Sequence, residues 1–441
     1  MSGVEVVVHA GHALTEPPSF VEHASINQWR SEARAALNLP DAPVIACGHQ
    51  SEAWHPGILA KNMWVQGVAQ REHATAVHVM VDQDGFDGMH VEWPFQRPDG
   101  WWGLRGHRFL RSGGETASMR CPAEPPRSVD AGSGVLPDIV HGLDAIQLAL
   151  STHSTATDAA MQGTLAMLSL AEPWLAMPHI VRASDLMQTS FAKCLIEAML
   201  HDPVACATTL NKALVMAPRS ARPLRVQRTD AELPLWLLGP QGQRQRANAA
   251  QTRAALASGG TLLPRAFFMS VIARTALADL FVHGLGGSLY EPASDAWMRS
   301  WRGWIPPSFA MVTANVRLPL TMPKDPMPQG VPFRRAWCDP HLLQTHSTGP
   351  SPERQRALAM ISSIPHRDPR RRSMYEELIR ERNTARLHRS EELESLHSNE
   401  AMAGAARIAR TLAARRSWCF ALVPKNLMTE LRDALLTRLP A

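Results

Sequence analysis

The sequence predicts an α/β protein with a parallel-sheet core, a helical insertion and a C-terminal helical, coiled-coil-like arm. Three observations carry that expectation. "APVIACG", "PGILAKNMWVQGVAQREH" and "TAVHVMVDQD" read as strand, helix and strand, the spacing of a βαβ unit and so of a parallel sheet. From Leu136 to about Met216 the pattern turns helical and rich in Ala, Leu and Met. From 353 to 416 it is helical again but densely charged. A βαβ unit with inserted and appended helices makes the core Rossmann-like.

Taken in order, "VEVVVHA" reads as a strand and "INQWRSEARAALNL" as an amphipathic helix ending at Pro40. Pro56 opens the βαβ helix, because the N–H that proline lacks is one the first turn could not satisfy. Residues 86–135, rich in Gly, Pro, Trp and Arg, read as short strands and loops. "LPLWLLG" returns to strand, followed by a long helix over "RQRANAAQTRAALASGG". A further helix is expected from about Pro264 to the glycine-rich turn His283–Gly287, then a buried strand in "FAMVTANVRLPL". "WCFALVPKNLMTELRDALLTRL" reads as a strand and helix returning to the core. The expected divisions are 1–135 and 233–322 for the two parts of the core, 136–232 for the insertion and 323–352 for a connector. The arm, as two antiparallel helices, takes 353–416, and 417–441 is the return.

Composition narrows the class. At 441 residues, 45% hydrophobic and 19% charged, the chain can bury a large core and does not resemble a disordered one. Six dispersed cysteines without a CxxC pair read as free thiols in a reducing compartment. The first residues lack the features of a signal peptide, and Arg274 and Asp279 interrupt the most apolar later segment. A cytoplasmic protein with no membrane and no nucleic-acid partner is expected, since a net charge of +5 comes without a recognition motif. Lysines are few (Lys61, Lys193, Lys212, Lys324 and Lys425), so their placement is informative.

The stretch "PVIACGHQSEAWHPGILAKN" sets Gly48, His49, Gln50, His55, Gly57, Lys61 and Asn62 at one strand-to-helix turn. Such turns in parallel sheets favour anions, through helix amides and the helix dipole. His49, His55 and Lys61 are the expected catalytic groups. Gly48, Gln50, Gly57 and Asn62 are expected to bind a cofactor. Taken singly, each residue also has an ordinary role as turn glycine, helix cap or solvated side chain. "VDQDGFD" brings Asp82 and Asp84 to the next strand end, as substrate ligands or an Asx-type turn. "HGLGGSLYE" adds His283, Gly286, Gly287, Tyr290 and Glu291, as a second cradle or a helix cap, with Arg265 upstream.

Together, "CGHQSEAWHPGILAK", "DQDGF" and "GGSLYE" resemble the motifs of the cysteine-adding enzymes of bacillithiol biosynthesis, the BshC family. That family's motifs are of the TGQQ…GP…K, EDHDF and GGP-x-E types; His49 here replaces a glutamine. The resemblance, which covers the chain in outline, implies a nucleotidyltransferase-like core, a C-terminal coiled coil and an adenine nucleotide (ATP or ADP); a homodimer through the arm is a further expectation. The histidines are also similar to those of HIGH-motif nucleotidyltransferases, although no KMSKS-like lysine loop accompanies them and "MPKDPM" is a poor substitute.

The expected function is a ligase or transferase joining a small amino- or thiol-bearing substrate to an acceptor such as an amino sugar. Alternatives are a nucleotidyltransferase-like enzyme on another small substrate, and a binding or scaffold protein. A metal-dependent hydrolase using His49, His55, Asp82 and His283 is a further alternative, though their spacing is not that of a zinc helix, and no metal is expected.

Overall fold

The computed structural model describes residues 3–9, 18–323, 331–345 and 352–440. The "MPKDPM" segment and the expected connector fall partly outside them. The chain forms two compact units: Met1–Phe95, Leu104–Leu318 and Ala414–Ala441 make the first, and Gln96–Gly103 with Pro319–Ala413 the second.

The first unit is built on a six-stranded sheet. Its strands are β1 (Val4–His9), β2 (Val44–Gln50), β3 (Thr75–Val81), β4 (His179–Arg182), β5 (Leu280–His283) and β6 (Phe309–Val316), in the spatial order β1-β6-β5-β2-β3-β4. Only β1 runs antiparallel, against β6. Helix α1 (Ile26–Ala36) is capped by Ser25, and α2 (Pro56–Arg71) links β2 to β3 as expected. β2 and β3 are buried at consecutive positions, Val44, Ile45, Ala46 and Cys47 in one and Val77, His78, Val79 and Met80 in the other, the pattern of a sheet covered on both faces. Aromatic side chains such as Trp29, Phe191, Phe268 and Trp297 fill the adjoining core.

Several expected elements differ. The insertion contains the helices Pro137–Thr152, Ala159–Ala171, Ser190–His201 and Pro203–Ala213, but it also supplies β4, which pairs with β3. The long helix after "LPLWLLG" is instead a strand, Arg244–Asn248, pairing antiparallel with Glu232–Leu238, and then a short helix, Ala249–Ala257. Asn248 starts that helix with a capping box, which sets the boundary. With Leu262–Pro264, these strands form a three-stranded sheet.

The expected helix from Pro264 to His283 also divides. A helix over Ala266–Ile272 runs into a π turn, Ala273–Leu277, and the chain then forms β5. His283 therefore ends a strand, and the following glycines lie in a one-turn helix, Leu285–Ser288, not in a helix C-cap. At the C-terminus, the expected strand is a 3₁₀ turn, Phe420–Leu422, leading into the helix Lys425–Leu436.

In the second unit, the charged segment forms three helices where two were expected: Pro352–Ser363, Pro369–His388 and Ser390–Ala413. A small cluster of Val331, Ala336, Leu342, Leu393 and Leu396 is buried within it. Among the described residues, no helix is long and apolar enough to cross a membrane.

Candidate functional site

The chain leaves β2 toward β3 and β4 on one side, while β5 and β6 lie on the other. The carboxyl ends of β2 and β5 therefore flank a topological switch point, where open parallel sheets form a crevice because neighbouring connections diverge. A cleft of about 380 Å³ lies there.

Lys61, on α2, is buried between the two strand ends. Its Nζ donates to the Gly48 carbonyl at 2.7 Å, and a Cβ on Gly284 would stand 4.0 Å from the same nitrogen. An ammonium has three hydrogens to place, and burying one without acceptors is costly. Among the described residues, the Gly48 carbonyl is the hydrogen-bond acceptor of Lys61. Burial accordingly lowers the Lys61 pKa, against the pull of Cys47 and Glu52.

His55 is the N-cap of α2. Its Nδ1 accepts from the Gly57 amide at 3.0 Å, and its carbonyl accepts from Ile58 at 2.9 Å. The first amides of the helix are thus engaged, contrary to the expectation that they cradle an anion. Burial first, then Arg416, His49 and Lys61, bring the His55 pKa down to about 3. The ring is neutral, so with Nδ1 accepting, its proton sits on Nε2. That N–H lies on a ring lining the cleft.

Arg416, which the sequence reading placed in the charged arm, reaches this helix end. Its guanidinium donates to Thr313 Oγ1 on β6 and lines the cleft. Gly57 leaves the space: a Cβ there would lie 2.9 Å from the Ala314 carbonyl and 3.1 Å from Arg416 Nη2. Lys61, Arg416, the His55 N–H and the α2 dipole together make this end of the cleft attractive to a carboxylate or phosphate.

His49 also lines the cleft, with Nε2 2.9 Å from Glu52 Oε1. Burial, and then Lys61, hold it well below the usual histidine range. Gln50 donates to Asp84 at 3.0 Å, and Arg244 forms an ion pair with the other oxygen of Asp84. Arg244 was not anticipated, since its segment was read as helix.

At the β5 end, His283 Nε2 lies 2.9 Å from Glu291 Oε1. Glu291 is fully buried and also bonded by Ser270 and Arg274. Burial alone would raise its pKa, but His283, Arg274 and Ser270 outweigh it and bring the value down to about 2. Tyr290 packs edge-on to His283, with centroids 5.9 Å apart. Burial, then Glu291, push its hydroxyl pKa up, so it stays protonated. Gly287 is needed where it stands, because a Cβ would fall 2.3 Å from His283 Nδ1; Gly286 faces open space.

Four expected site residues lie off the cleft lining. Asn62 is buried beneath β2 and β3, where its Oδ1 meets His78 Nδ1 at 2.9 Å and Cys47 Sγ at 3.3 Å. Asp82 accepts from the Ser184 amide at 3.0 Å and hydroxyl at 2.6 Å, tying β3 to the turn after β4. This also separates it from the proposed metal set of His49, His55 and His283. Among the described residues, no three or more His, Cys, Asp and Glu side chains gather in a way that could hold a metal. Arg265 pairs with Glu232 at 2.5 Å and lies 4.0 Å over the Trp236 ring, bracing a wall of the cleft from behind. Glu291 is fully buried, in contact with His283.

Gln83, quoted within "VDQDGFD" but not singled out, does line the cleft. No family model matches this chain, and no curated protein matches it.

Proposed function

We propose that this protein is a ligase or transferase acting on a small anionic substrate held at the switch point between β2 and β5. The observation that carries the proposal is Lys61: a buried ammonium with one hydrogen-bond acceptor among the described residues, at the end of the sheet where parallel folds bind ligands. The motif resemblance to the cysteine-adding enzymes of bacillithiol biosynthesis supports this class of reaction.

Lys61, with Arg416 and the His55 N–H, holds the carboxylate or phosphate. The same cations offset negative charge that develops during attack, in a site where burial strengthens electrostatic interactions. His283, oriented by Glu291, is the group placed to move a proton between an incoming amine or thiol and the leaving group. Asp84, fixed by Arg244 and Gln50, receives a cationic or hydroxyl-bearing second substrate. An adenine nucleotide, which the resemblance implies, would lie with its phosphates on Lys61 and Arg416. When bound it would supply the activation that a ligase requires.

The test is a thermal-shift series with ATP, ADP and simple carboxylates on the wild type and Lys61→Met. A rise in melting temperature in the wild type that Lys61→Met abolishes is expected. Equal responses in both proteins would remove the anion site from Lys61.

A further inference from the structure

Gln83 lies just beyond β3 and is 2% exposed. Its amide nitrogen donates to the Pro264 carbonyl at 3.3 Å and lies 3.6 Å from Met269 Sδ. Those contacts determine which way the amide faces, since the nitrogen must be the donor to a carbonyl. The other atom, Oε1, is buried and has no hydrogen-bond partner. Its residue lines the same cleft as Lys61.

An orphaned buried acceptor costs free energy comparable to a lost hydrogen bond, so an acceptor kept in that state beside a cleft suits a ligand that completes it. Asp84, also on the lining, has Gln50 and Arg244 as partners, whereas Gln83 Oε1 has none.

We infer that Gln83 is a specificity-determining residue: the cleft takes a ligand that is anionic toward Lys61 and carries an O–H or N–H donor that Gln83 Oε1 accepts. This rests on the proposed anion site and adds a second requirement on the substrate, a hydrogen-bond donor separate from its acid group. An unsubstituted acid meets the first requirement and fails the second. Sites that hydrogen-bond a ligand hydroxyl reject analogues lacking it, because the buried acceptor is left unpaired.

The test uses matched acids: glycolate against acetate, 3-hydroxypropionate against propionate, and 4-hydroxybutyrate against butyrate. Each is titrated into the full-length protein by NMR line-shape or calorimetry. For at least one pair, the hydroxy acid is expected to bind wild type about tenfold tighter than its partner. Gln83→Leu should bring that pair to within about twofold while leaving the unsubstituted acid's affinity unchanged. Gln83→Glu, which keeps an acceptor, should retain the preference. Equal affinities within every wild-type pair, or a preference that survives Gln83→Leu, would overturn the role of Gln83 and leave the anion site standing. If none of the acids binds wild type, the anion site fails and this inference with it.

Discussion

His283 Nε2 and Glu291 Oε1 stand 2.9 Å apart, with Arg274 closing the other side of the same buried carboxylate. The strand end that faces the cleft is thereby tied to a charge cluster that contains Ser270 and also reaches Asp295. Removing the Glu291 charge leaves the buried Arg274 with Asp295 alone and takes from His283 its carboxylate partner. Glu291→Gln is expected to destabilise the protein by about 3–5 kcal/mol, read from the midpoint of denaturant unfolding. The double substitution Arg274→Met, Glu291→Gln should recover part of that loss.

Lys61→Met is expected to behave in the opposite way. It removes a desolvated charge and keeps a side chain of similar length, so the unliganded protein should unfold at the same or a higher denaturant concentration. Loss of the anion-induced thermal shift together with unimpaired stability would identify Lys61 as held for its ligand. A large loss of stability would show it to be a structural cation.

The glycines after β5 offer a contrast that needs no ligand. Gly287→Ala places a methyl against the His283 ring, and Gly286→Ala places one in open space. The first should cost about 1–3 kcal/mol and perturb the His283 imidazole signals in NMR. The second should stay within about 0.5 kcal/mol of wild type. Equal effects would mean the one-turn helix moves freely over His283.

Acid should destabilise this protein in two stages. His78 is fully buried, and burial, then Lys61 and His49, bring its pKa down from 6.5 to about 3. The unfolded chain therefore binds a proton in that interval that the folded chain does not, and stability falls as pH is lowered through it. One such histidine gives a slope of about 1.4 kcal/mol per pH unit at most, and His78→Gln should reduce the slope by up to that amount. Glu291 acts lower: its contribution is complete above 4.5 and is lost as pH falls toward about 2. Melting curves at closely spaced pH values check both; a flat profile between 6.5 and 4 would contradict the first.

The β2–α2–β3 unit was legible because an apolar run, a proline at the first helical position and a second apolar run give three signals that agree. β5 was not legible. Its four residues continue the apolar run of the preceding helix, and in a fully buried segment apolar periodicity does not separate strand from helix. β4 is also four residues long, at the sheet edge, within an otherwise helical segment.

The candidate site divided in the same way. Lys61, His49 and His55 were visible because they lie at one turn of the chain. Arg416 was hidden because it reaches the cleft from a distant segment, Arg244 because it reaches Asp84 from another, and Gln83 because a glutamine between two aspartates carries no charge to draw notice. Asn62 and Asp82 were grouped with the site by sequence proximity. Side-chain direction sends them to His78 and Ser184 instead.

Arg416 gives the cleft an order of assembly. All six strands of the sheet have been synthesised by Val316, but the guanidinium beside Gly57 follows the second unit in sequence. A nascent chain ending before Ala414 carries Lys61 and His55 without their neighbouring cation. The proposed anion site is therefore complete only once the chain has been made through Arg416.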